Sequence, residues 1–460
     1  MASPSKAGAA LTALREELSG DVFAPDDPGY DEARTVFNAM IDRRPAVIAQ
    51  CVDEADVVRT VRFARDLDLK IAVRGGGHSV SGQALGDGAV VVDLRHMRSV
   101  TVDPAAEAVR VAGGATMSDL DRACEPFALA TTGGRVSTTG VGGFVLGGGS
   151  GWLDRRCGLA VDNLLGVKLV TADAEQVHAS ADEHPDLFWA LHGGGGNFGV
   201  ATALTLKLYE LPEFSIAMLL YLPEYGPEAV RTYRDLIEPA PDEASGAVLF
   251  LTGPPEDFVP PHLVGHKVCA VLLTYAGAEE DMRKLAQPLL ALPHETEIVG
   301  AMPYADVQCM IDDPPGMRNY WSAEYLTGAP DDFVDAYCAL AESVPVPTGT
   351  QHLLWPQGGA IAGGPHEYPV PYRDAAWVVH PFGVWEDPAD DERCVRWVRD
   401  VRAGVRPWST GDVYLNFIGD EGTDRVVAGL GAENARRLGD VKRHYDPDNV
   451  FRFNHNIKPT

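Results

Sequence analysis

Glycine is concentrated between residues 133 and 199, far above its average in the chain. It recurs in TTGGRVSTTGVGGFVLGGGSGWLDRRCGL and again in HGGGGNFGV. Glycine adopts positive φ and lets another backbone or a ligand come very close, so this density predicts loops on which a long ligand lies along the main chain. A set of tight turns in a small sheet is the alternative interpretation of the same residues.

Three kinds of nucleotide-binding loop use glycine, and the spacing separates them. A P-loop needs a Gly-Lys pair, which this chain lacks. A dinucleotide fingerprint needs G-x-G-x-x-G between a strand and a helix, and GGGSGWLDRRCG matches it only in part. The third kind is a nest of consecutive backbone N–H groups in RGGGHS, opposed by a second glycine segment around residues 138–149. Such a nest neutralises a diphosphate without lysine and places His78 close to the ring system of the nucleotide.

Length and charge limit the class of protein. A chain of 460 residues is long enough for two domains, since domains usually have roughly 100–200 residues. With 45% hydrophobic and 23% charged residues, the chain has the composition of an ordinary globular protein. The net charge of −28 repels phosphate backbones and anionic lipid headgroups, so neither nucleic acid nor a membrane surface is expected as a partner.

Cysteine usage and the hydrophobic runs point to a cytoplasmic protein. The seven cysteines are scattered and include no C-x-x-C pair, which argues against a disulfide framework and against a zinc site. We expect no metal. The first 20 residues lack a continuous apolar segment, and no run of about 18 apolar residues occurs elsewhere. Nothing in the sequence indicates the oligomeric state.

Hydrophobic periodicity predicts a mixture of strands and helices. RPAVIAQCV is typical of a short apolar strand, DEADVVRTVRFARDLDL of an amphipathic helix, and residues 71–74 of a strand that leads into the RGGGHS loop. Residues 117–127 and 423–444 are predicted to be helical. Glycine becomes scarcer after residue 212, where we expect a domain boundary.

Five motifs in order resemble a known family: VRGGGHSVSG, STTGVGGFVLGGGSGWLDRRCGLAVDNL, LHGGGGNFGVAT, YLNF and YDPDNVFRFNHNIKP. From about residue 35 to the last residue given, the chain is similar to the berberine-bridge-enzyme-like branch of the vanillyl-alcohol-oxidase/PCMH flavoproteins. The resemblance implies an α+β protein with a PCMH-type FAD-binding fold of two subdomains and an inserted substrate domain built on an antiparallel sheet. The expected division is an FAD-binding domain over 1–212 with its core at about 43–212, a substrate domain over 213–408, and a C-terminal segment over 409–460 that returns to the first domain.

The same resemblance implies FAD as cofactor, bonded through the ring of His78 to the C8 methyl carbon of the flavin. An imidazole substituent withdraws electrons from the flavin, which makes it a stronger oxidant, and the bond prevents loss of the cofactor. The residues expected to bind FAD are Arg74, Gly75, Gly76, Gly77, His78, Ser79, Gly140, Gly143, Val200, Asn416, Asn454 and Asn456. The two last asparagines are also explicable as amides that cap a loop.

Two positions near the glycines depart from the family pattern. Many relatives attach the flavin a second time through a cysteine, and Val136 stands at that place. Because valine cannot form a thioether, a single attachment is expected. Cys157 lies where relatives commonly have tyrosine and is interpreted as a packing residue.

The proton acceptor is also missing from its usual place. In these flavoenzymes hydride moves to flavin N5 while a base takes the O–H or N–H proton. Many relatives supply the base as the second aromatic of Y-x-N-Y, but YLNF places Phe417 there, and a phenyl ring accepts no proton. If YLNF is a strand, Tyr414 faces the opposite way and is no simple replacement.

We therefore expect the catalytic residues in the second domain and select Tyr320, His352 and Tyr325. Histidine has an ordinary pKa near 6.5, suitable for a base near neutrality, whereas tyrosine would need a neighbouring cation such as Arg318. Each aromatic residue taken alone is also explicable as part of a hydrophobic core. The segments that contain these residues, GMRNYWSAEYL and QHLLWPQGG, offer further polar side chains, namely Glu324, Gln351 and Gln357.

The expected function is an FAD-dependent oxidase that abstracts hydride from a small hydroxylated or heterocyclic molecule and reduces O₂ to H₂O₂. One alternative is a dehydrogenase that passes electrons to an acceptor other than O₂. Another is a flavin- or ligand-binding protein without catalytic activity, which Phe417 makes conceivable.

Overall fold

The structure is a computed structural model and describes residues 4–460. The first part of the chain forms a small sheet whose strand order is β1–β2–β4–β3. Its strands are β1 (Val22–Phe23), β2 (Val47–Gln50), β3 (Ile71–Arg74) and β4 (Val90–Asp93), and its helices are α1 (Pro4–Glu17), α2 (Tyr30–Ala33) and α3 (Glu54–Asp66). Strand β4 runs parallel to both neighbours and is buried throughout, as expected for its run of valines. The carboxylate of Asp53 accepts a hydrogen bond from Asp56 N and so begins α3.

A second, antiparallel sheet follows, in the order β5–β6–β10–β8–β9. The strands of this region are β5 (Val100–Asp103), β6 (Ala108–Ala112), β7 (Leu129–Ala130), β8 (Leu164–Val170), β9 (Gln176–Ala179), β10 (Val200–Lys207) and β11 (Tyr209–Glu210), of which β7 and β11 pair separately. The helices are α4 (Met117–Cys124), α5 (Val141–Leu146), α6 (Asp154–Cys157) and α7 (Pro185–Leu191). Apolar side chains of α4, α5 and α7 pack on this sheet to form its core.

The middle of the chain forms a large antiparallel sheet of eight strands, in the order β15–β12–β14–β13–β18–β19–β16, with β17 also paired to β19. Its strands are β12 (Ser215–Tyr221), β13 (Ala244–Thr252), β14 (Lys267–Tyr275), β15 (Thr296–Ala301), β16 (Arg318–Trp321), β17 (Glu324–Leu326), β18 (Gln351–Pro356) and β19 (Trp377–Trp385). The helices are α8 (Gly226–Ile237), α9 (Glu279–Leu290), α10 (Tyr304–Val307), α11 (Asp331–Ala341) and α12 (Asp391–Val405).

Both faces of this sheet are covered, and alternate residues go to different cores. From β18 and β19, Leu354 and Val379 pack with α8, α9, α11 and α12 on one face. Leu353 and Val378 pack on the other face, toward the glycine-rich part of the chain. Since side chains of a strand alternate between faces, the register of β18 against β19 decides which polar residues reach that second face.

The end of the chain returns to the first sheet. Two helices, α13 (Thr423–Leu430) and α14 (Ala432–Tyr445), precede the last segment. Phe451 then forms a parallel bridge with Ile71 of β3. Lys442 of α14 is buried next to this segment and donates hydrogen bonds to Asp446 and to the carbonyl of Phe451. The last residues are thereby held beside the RGGGHS loop.

The α+β class is confirmed, and two local predictions are wrong. Residues 423–444 form two helices, because Gly431 adopts a φ of +79° and interrupts the first one. The YLNF segment is a short 3₁₀ turn over Leu415–Phe417 rather than a strand. The rings of Tyr414 and Phe417 therefore meet, with centroids 4.5 Å apart, where an extended chain would have separated them.

Candidate active site

The two glycine loops cross in direct backbone contact. A Cβ added to Gly76 would lie 2.3 Å from the nitrogen of Gly140, and one added to Gly140 would lie 2.2 Å from the nitrogen of Gly76. No real Cβ comes that close, so both positions require glycine. The contact fits the predicted arrangement, in which the RGGGHS loop is opposed by a second glycine segment.

A cavity of about 340 Å³ extends from this crossing to the large sheet. Its volume is within the usual range for small-molecule and cofactor sites. Other glycines leave room in it: apart from chain neighbours and the backbone of the same helix, no atom of residues 4–460 lies within 4 Å of a Cβ built on Gly143, Gly195 or Gly196. The lining includes Gly75, Gly76, Gly77, His78, Ser79, Gly140, Gly143, Asn416 and Asn454, all of which the sequence predicted to bind FAD. A glycine-lined cleft of backbone N–H groups is suited to the diphosphate of a dinucleotide.

The remaining three residues predicted to bind FAD do not line the cavity. Arg74 is buried beneath the loop and donates to the carbonyl of Ala33. Val200 points into a core of the first domain, although its neighbour Ala201 does line the cavity. Asn456 is outside the lining as well.

His78 is held on two sides. Its ring is stacked on Phe37, with centroids 4.0 Å apart and 21° between the planes. Its Nε2 lies 2.9 Å from the hydroxyl oxygen of Thr138, a residue of the second glycine segment. Burial lowers the pKa of His78 to about 4, so the imidazole is neutral near pH 7 and one ring nitrogen carries a lone pair. A fixed, neutral imidazole in the cavity wall can act as a nucleophile.

The C-terminal segment closes one side of the cavity. Asn454 donates to the carbonyl of Gly196, and its Oδ1 is buried with no hydrogen-bond partner among the described residues. Asn416 donates to the hydroxyl oxygen of Tyr414 and to the carbonyl of Phe144. A buried amide oxygen without a partner is costly unless a ligand supplies a donor, so Asn454 fits a bound cofactor.

The structure does not bring the three predicted catalytic residues to the cavity, since none of Tyr320, His352 and Tyr325 lines it. His352 lies on the helix-covered face of the large sheet, stacked on Tyr337. Tyr325 is fully buried against Tyr372, and burial raises its pKa well above the ordinary value. Tyr320 lies beside Arg399, with its hydroxyl 3.4 Å from Nε. Neither His352 nor Tyr325 can exchange a proton with a molecule in the cavity.

His380 lines the cavity instead, and the sequence reasoning missed it. It lies directly across from Leu353 in the pairing of β18 with β19, so both point to the cavity face. A polar residue inside the apolar strand WVVHPFGVW was the available signal. The ring stacks on Phe417 with centroids 4.3 Å apart. Trp355, Phe382 and Phe417 surround it and also line the cavity.

A buried cation lies next to this aromatic wall. The guanidinium of Arg135 is sandwiched between the rings of Trp152 and Trp355, at 4.7 and 4.3 Å from their centroids. It donates to the carbonyl of Gly151 and lies 3.7 Å from the carboxylate of Asp154. The aromatic end of the cavity is therefore apolar, with the buried pair of Arg135 and Asp154 behind it.

Val136 and Cys157, the two positions near the glycines that depart from the family pattern, lie in different parts of the structure. Val136 lines the cavity, as does Phe417. Cys157 is buried in a cluster that contains Trp152 and Leu153, outside the lining. Burial raises the pKa of its thiol to about 11, which suits packing rather than bond formation.

Residues 4–460 contain no helix that is both long and apolar enough to cross a membrane. They also contain no group of three or more His, Cys, Asp or Glu side chains that could hold a metal ion.

Comparison with known proteins identifies the family of the chain and its cofactor. Residues 45–180 match a family of FAD binding domains, and residues 413–458 match the family described as berberine and berberine like. The chain is 33% identical to (R)-6-hydroxynicotine oxidase of Paenarthrobacter nicotinovorans, over 96% of this chain and 97% of that one. It superposes on the crystal structure of 6-hydroxy-D-nicotine oxidase from Arthrobacter nicotinovorans with a TM-score of 0.86 and 29% identity, covering 96% and 99% of the two chains.

A plant relative has the same fold. The wild-type BBE-like 1 protein of Physcomitrella patens gives a TM-score of 0.85 at 22% identity, over 98% of this chain and 99% of that one. The predicted family resemblance is confirmed, as is FAD as cofactor. The chain belongs to the berberine-bridge-enzyme-like family of FAD-linked oxidoreductases, with the PCMH-type FAD-binding fold.

Proposed function

We propose that this enzyme is an oxidase that removes two electrons and two protons from a small hydroxylated or heterocyclic molecule and delivers them to O₂ as H₂O₂. The observation that carries the proposal is that one cavity is lined both by the glycine loops and by an aromatic wall formed by Trp355, His380 and Phe417. The relative at 33% identity, named an oxidase of 6-hydroxynicotine, supports this chemistry.

The domain division expected from the sequence suggests a separate ligand for each part of the chain. We propose that 1–212 and 409–460 bind FAD and that 213–408 binds the substrate. In support, all strands of the large sheet lie within Ser215–Trp385, and the bridge between Phe451 and Ile71 returns the chain end to the first sheet. Bound between these parts, FAD supplies an acceptor for the hydrogen and electron pair of a substrate C–H bond.

The residues of the chain have separate roles in the proposed reaction. Backbone N–H groups of Gly75, Gly76 and Gly77 bind the diphosphate, and Asn454 hydrogen-bonds the cofactor. The ring of His78 forms one covalent bond to the flavin, for which its neutral state and its fixed orientation are the support. Val136 offers no thiol for a second bond. The aromatic wall excludes water and orients a flat, uncharged substrate.

The cytoplasm is the proposed location. All seven cysteines of the described chain are free, as expected in a reducing compartment. The proposed partners are the small-molecule substrate and O₂.

Anaerobic incubation with alcohols, sugars, amines and hydroxylated heterocycles tests the activity. We expect at least one compound to bleach the flavin absorbance, and the reduced enzyme to react with O₂ faster than free reduced flavin, with one H₂O₂ formed per flavin. Reoxidation no faster than that of free flavin would identify a dehydrogenase with another acceptor. A flavin that stays oxidised with every compound would favour a binding protein without catalytic activity.

A further inference from the structure

One nitrogen of the His380 imidazole is hydrogen-bonded to the protein, and the other faces the cavity. Its Nδ1 lies 2.8 Å from the carbonyl oxygen of Ser322. Since a carbonyl oxygen only accepts, Nδ1 carries the proton, and Nε2 of the neutral ring is an acceptor. Within the described residues Nε2 has no hydrogen-bond partner, and this atom is not completely buried by protein. His380 lines the cavity, so this lone pair is accessible from the cavity.

His352 shows the contrast. Its Nε2 lies 3.1 Å from the carbonyl of Tyr337, and its Nδ1 is enclosed by protein without a partner in the described chain. The lone pair of His352 therefore faces a packed core, whereas the lone pair of His380 faces the cavity. The two histidines lie on adjacent strands but on opposite faces of the sheet.

His380 can supply the proton acceptor that the phenyl ring of Phe417 does not provide. Phe417 stands where a proton-accepting phenol is expected from the family pattern, and its phenyl ring lies against the imidazole at a centroid distance of 4.3 Å. Tyr414 offers no substitute, because its hydroxyl oxygen already accepts hydrogen bonds from Gly149 N and Asn416 Nδ2. Burial also raises the pKa of Tyr414 to about 12.

We propose that Nε2 of His380 hydrogen-bonds the hydroxyl group of the substrate and accepts its proton during oxidation. The inference rests on the proposed function and names one residue of it. In the step, the substrate O–H bond breaks and the proton passes to Nε2. The adjacent C–H bond breaks with its electron pair, which leaves together with the hydrogen to the FAD acceptor, and a C=O bond forms. The imidazolium returns its proton to solvent, and O₂ takes the two electrons and two protons as H₂O₂.

The surroundings also select the chemical class of substrate. The rings of Trp355 and Phe382 lie 5.5 and 5.4 Å from that of His380, which favours a flat, apolar ring next to the hydroxyl. Arg135 lies behind Trp355 with its charge buried. Its guanidinium lies 3.7 Å from the carboxylate of Asp154, so the pair adds little net charge, and a charged group would lose its hydration against the apolar rings. Neutral aromatic or heteroaromatic alcohols, in which the carbon that bears the hydroxyl group also carries a C–H bond, fit better than ammonium compounds.

Binding of two matched probes to the oxidised FAD-loaded enzyme tests the acceptor without knowledge of the substrate. 4-Nitrophenol carries a hydroxyl group, and nitrobenzene has the same ring and nitro group without it. In mildly acidic buffer, which keeps the phenol protonated, we expect the enzyme to prefer 4-nitrophenol by roughly five- to tenfold, the effect of one neutral hydrogen bond. The variant His380→Phe should bind both probes equally and keep its affinity for nitrobenzene.

A second variant separates the loss of Nε2 from misfolding. His380→Asn retains a side-chain N–H for the carbonyl of Ser322 but removes the nitrogen at the Nε2 position, and it should also lose the preference for 4-nitrophenol. If both folded variants keep the preference of the parent enzyme, the inference is overturned. This result does not depend on whether the enzyme is an oxidase, because no turnover is measured.

The reaction provides the second measurement. With a compound that reduces the flavin, His380→Phe should slow flavin reduction at saturating substrate by at least about 100-fold, the usual effect of losing a general base. The dissociation constant of that compound should change far less. An unchanged reduction rate would overturn the role of His380 and leave the oxidase proposal standing, whereas no reduction by any compound in the parent enzyme would count against the oxidase proposal alone.

Discussion

The imidazole of His380 lies nearly parallel to the phenyl ring of Phe417, with 23° between their planes. One residue comes from the centre of β19, and the other from the turn that precedes the C-terminal helices. The pair thus joins the large sheet to the segment that closes the FAD site. The phenyl ring supplies a flat apolar surface, and the imidazole supplies the lone pair, so two residues together present what one tyrosine would.

Replacing His78 by alanine should abolish covalent attachment of the flavin. His78 is neutral and faces the cavity, whereas Cys157 is buried outside it. Flavin fluorescence of the protein band after acid denaturation and gel electrophoresis measures the bond. The control Cys157→Ser should keep full fluorescence. A fluorescent band from His78→Ala would show that another residue makes the attachment.

Thr138 should set the rate of attachment through its hydrogen bond to His78. Its hydroxyl oxygen lies 2.9 Å from Nε2 and restrains the ring, and with it the choice of reactive nitrogen. Thr138→Val keeps the size and removes the hydroxyl, so attachment should slow by roughly five- to tenfold, as for one lost hydrogen bond. The time course of acid-stable flavin after FAD is added to apoprotein measures this. Thr138→Ser should match the parent, and equal rates for the valine variant would contradict the role.

Stability of the apoprotein should fall as the pH is lowered from about 6.5 toward 4, because buried histidines stay neutral in the folded chain. Burial lowers the pKa of His78 and His192 to about 4 and that of His352 and His380 to about 3. The unfolded chain, with ordinary pKa values near 6.5, binds more protons in this window. The free energy of unfolding therefore rises with pH through the window and levels off above it.

Urea denaturation at several pH values measures this slope, and one variant isolates a single group. His352→Gln retains an N–H for the carbonyl of Tyr337 and has no group to titrate. Its slope below about pH 6.5 should be shallower by up to roughly 1.4 kcal/mol per pH unit. A parallel pH dependence in the parent and the variant would mean that His352 is protonated in the folded protein.

The loop that carries His78 could be predicted because its requirements are local. Three glycines after a short strand favour a nest of backbone N–H groups, and this loop lies within the residues that match the FAD binding domain family. The crossing of Gly76 with Gly140 follows the same logic, since both segments are rich in glycine. The helix over Glu54–Asp66 and the strand over Ile71–Arg74 also follow from short-range periodicity.

The aromatic wall could not be predicted, because it depends on long-range strand register. His380 meets the cavity only through the pairing of Leu353 with His380. Alternation along β18 gave no guidance, since both faces of that strand are buried and its sequence is apolar almost throughout. The sequence therefore indicates His352, although only its neighbours on either side, Gln351 and Leu353, face the cavity. The turn at Phe417 was equally hidden, because YLNF has the composition of a strand.

Lys442 should be essential for stability because its charge is buried. The Lys442 and Asp446 side chains are fully enclosed with their charged atoms 2.7 Å apart, and Lys442 also binds the carbonyl of Phe451. Lys442→Met leaves the carboxylate without its cation and should cost roughly 3–5 kcal/mol of unfolding free energy. Lys284→Met, which removes an exposed pair with Glu280, should leave the stability nearly unchanged, because water already screens both charges. Equal losses in the two variants, measured by urea denaturation, would contradict this account.

Two glycines of the FAD site should respond in opposite ways to the same change, since Gly76 faces backbone and Gly143 faces the cavity. A methyl group on Gly76 meets the nitrogen of Gly140 at 2.3 Å, so the two loops must separate. A methyl group on Gly143, inside helix α5, meets no described atom within 4 Å apart from its chain neighbours and its own helix backbone, and it projects into the part of the cavity that we assign to FAD. The two variants therefore distinguish a glycine needed by the fold from a glycine needed by the ligand.

Gly76→Ala should destabilise the apoprotein by about 1–3 kcal/mol, because overpacked backbone has no flexible group that can move aside. Gly143→Ala should leave the apoprotein equally stable or up to about 1 kcal/mol more stable, because alanine is the better helix residue. It should nevertheless weaken FAD binding at least tenfold, since the methyl group occupies ligand space. Thermal unfolding of the apoproteins and FAD titration followed by flavin fluorescence separate the two effects. Normal FAD affinity in Gly143→Ala would mean that the cofactor does not pass over α5, and the assignment of this part of the cavity to FAD would then be wrong.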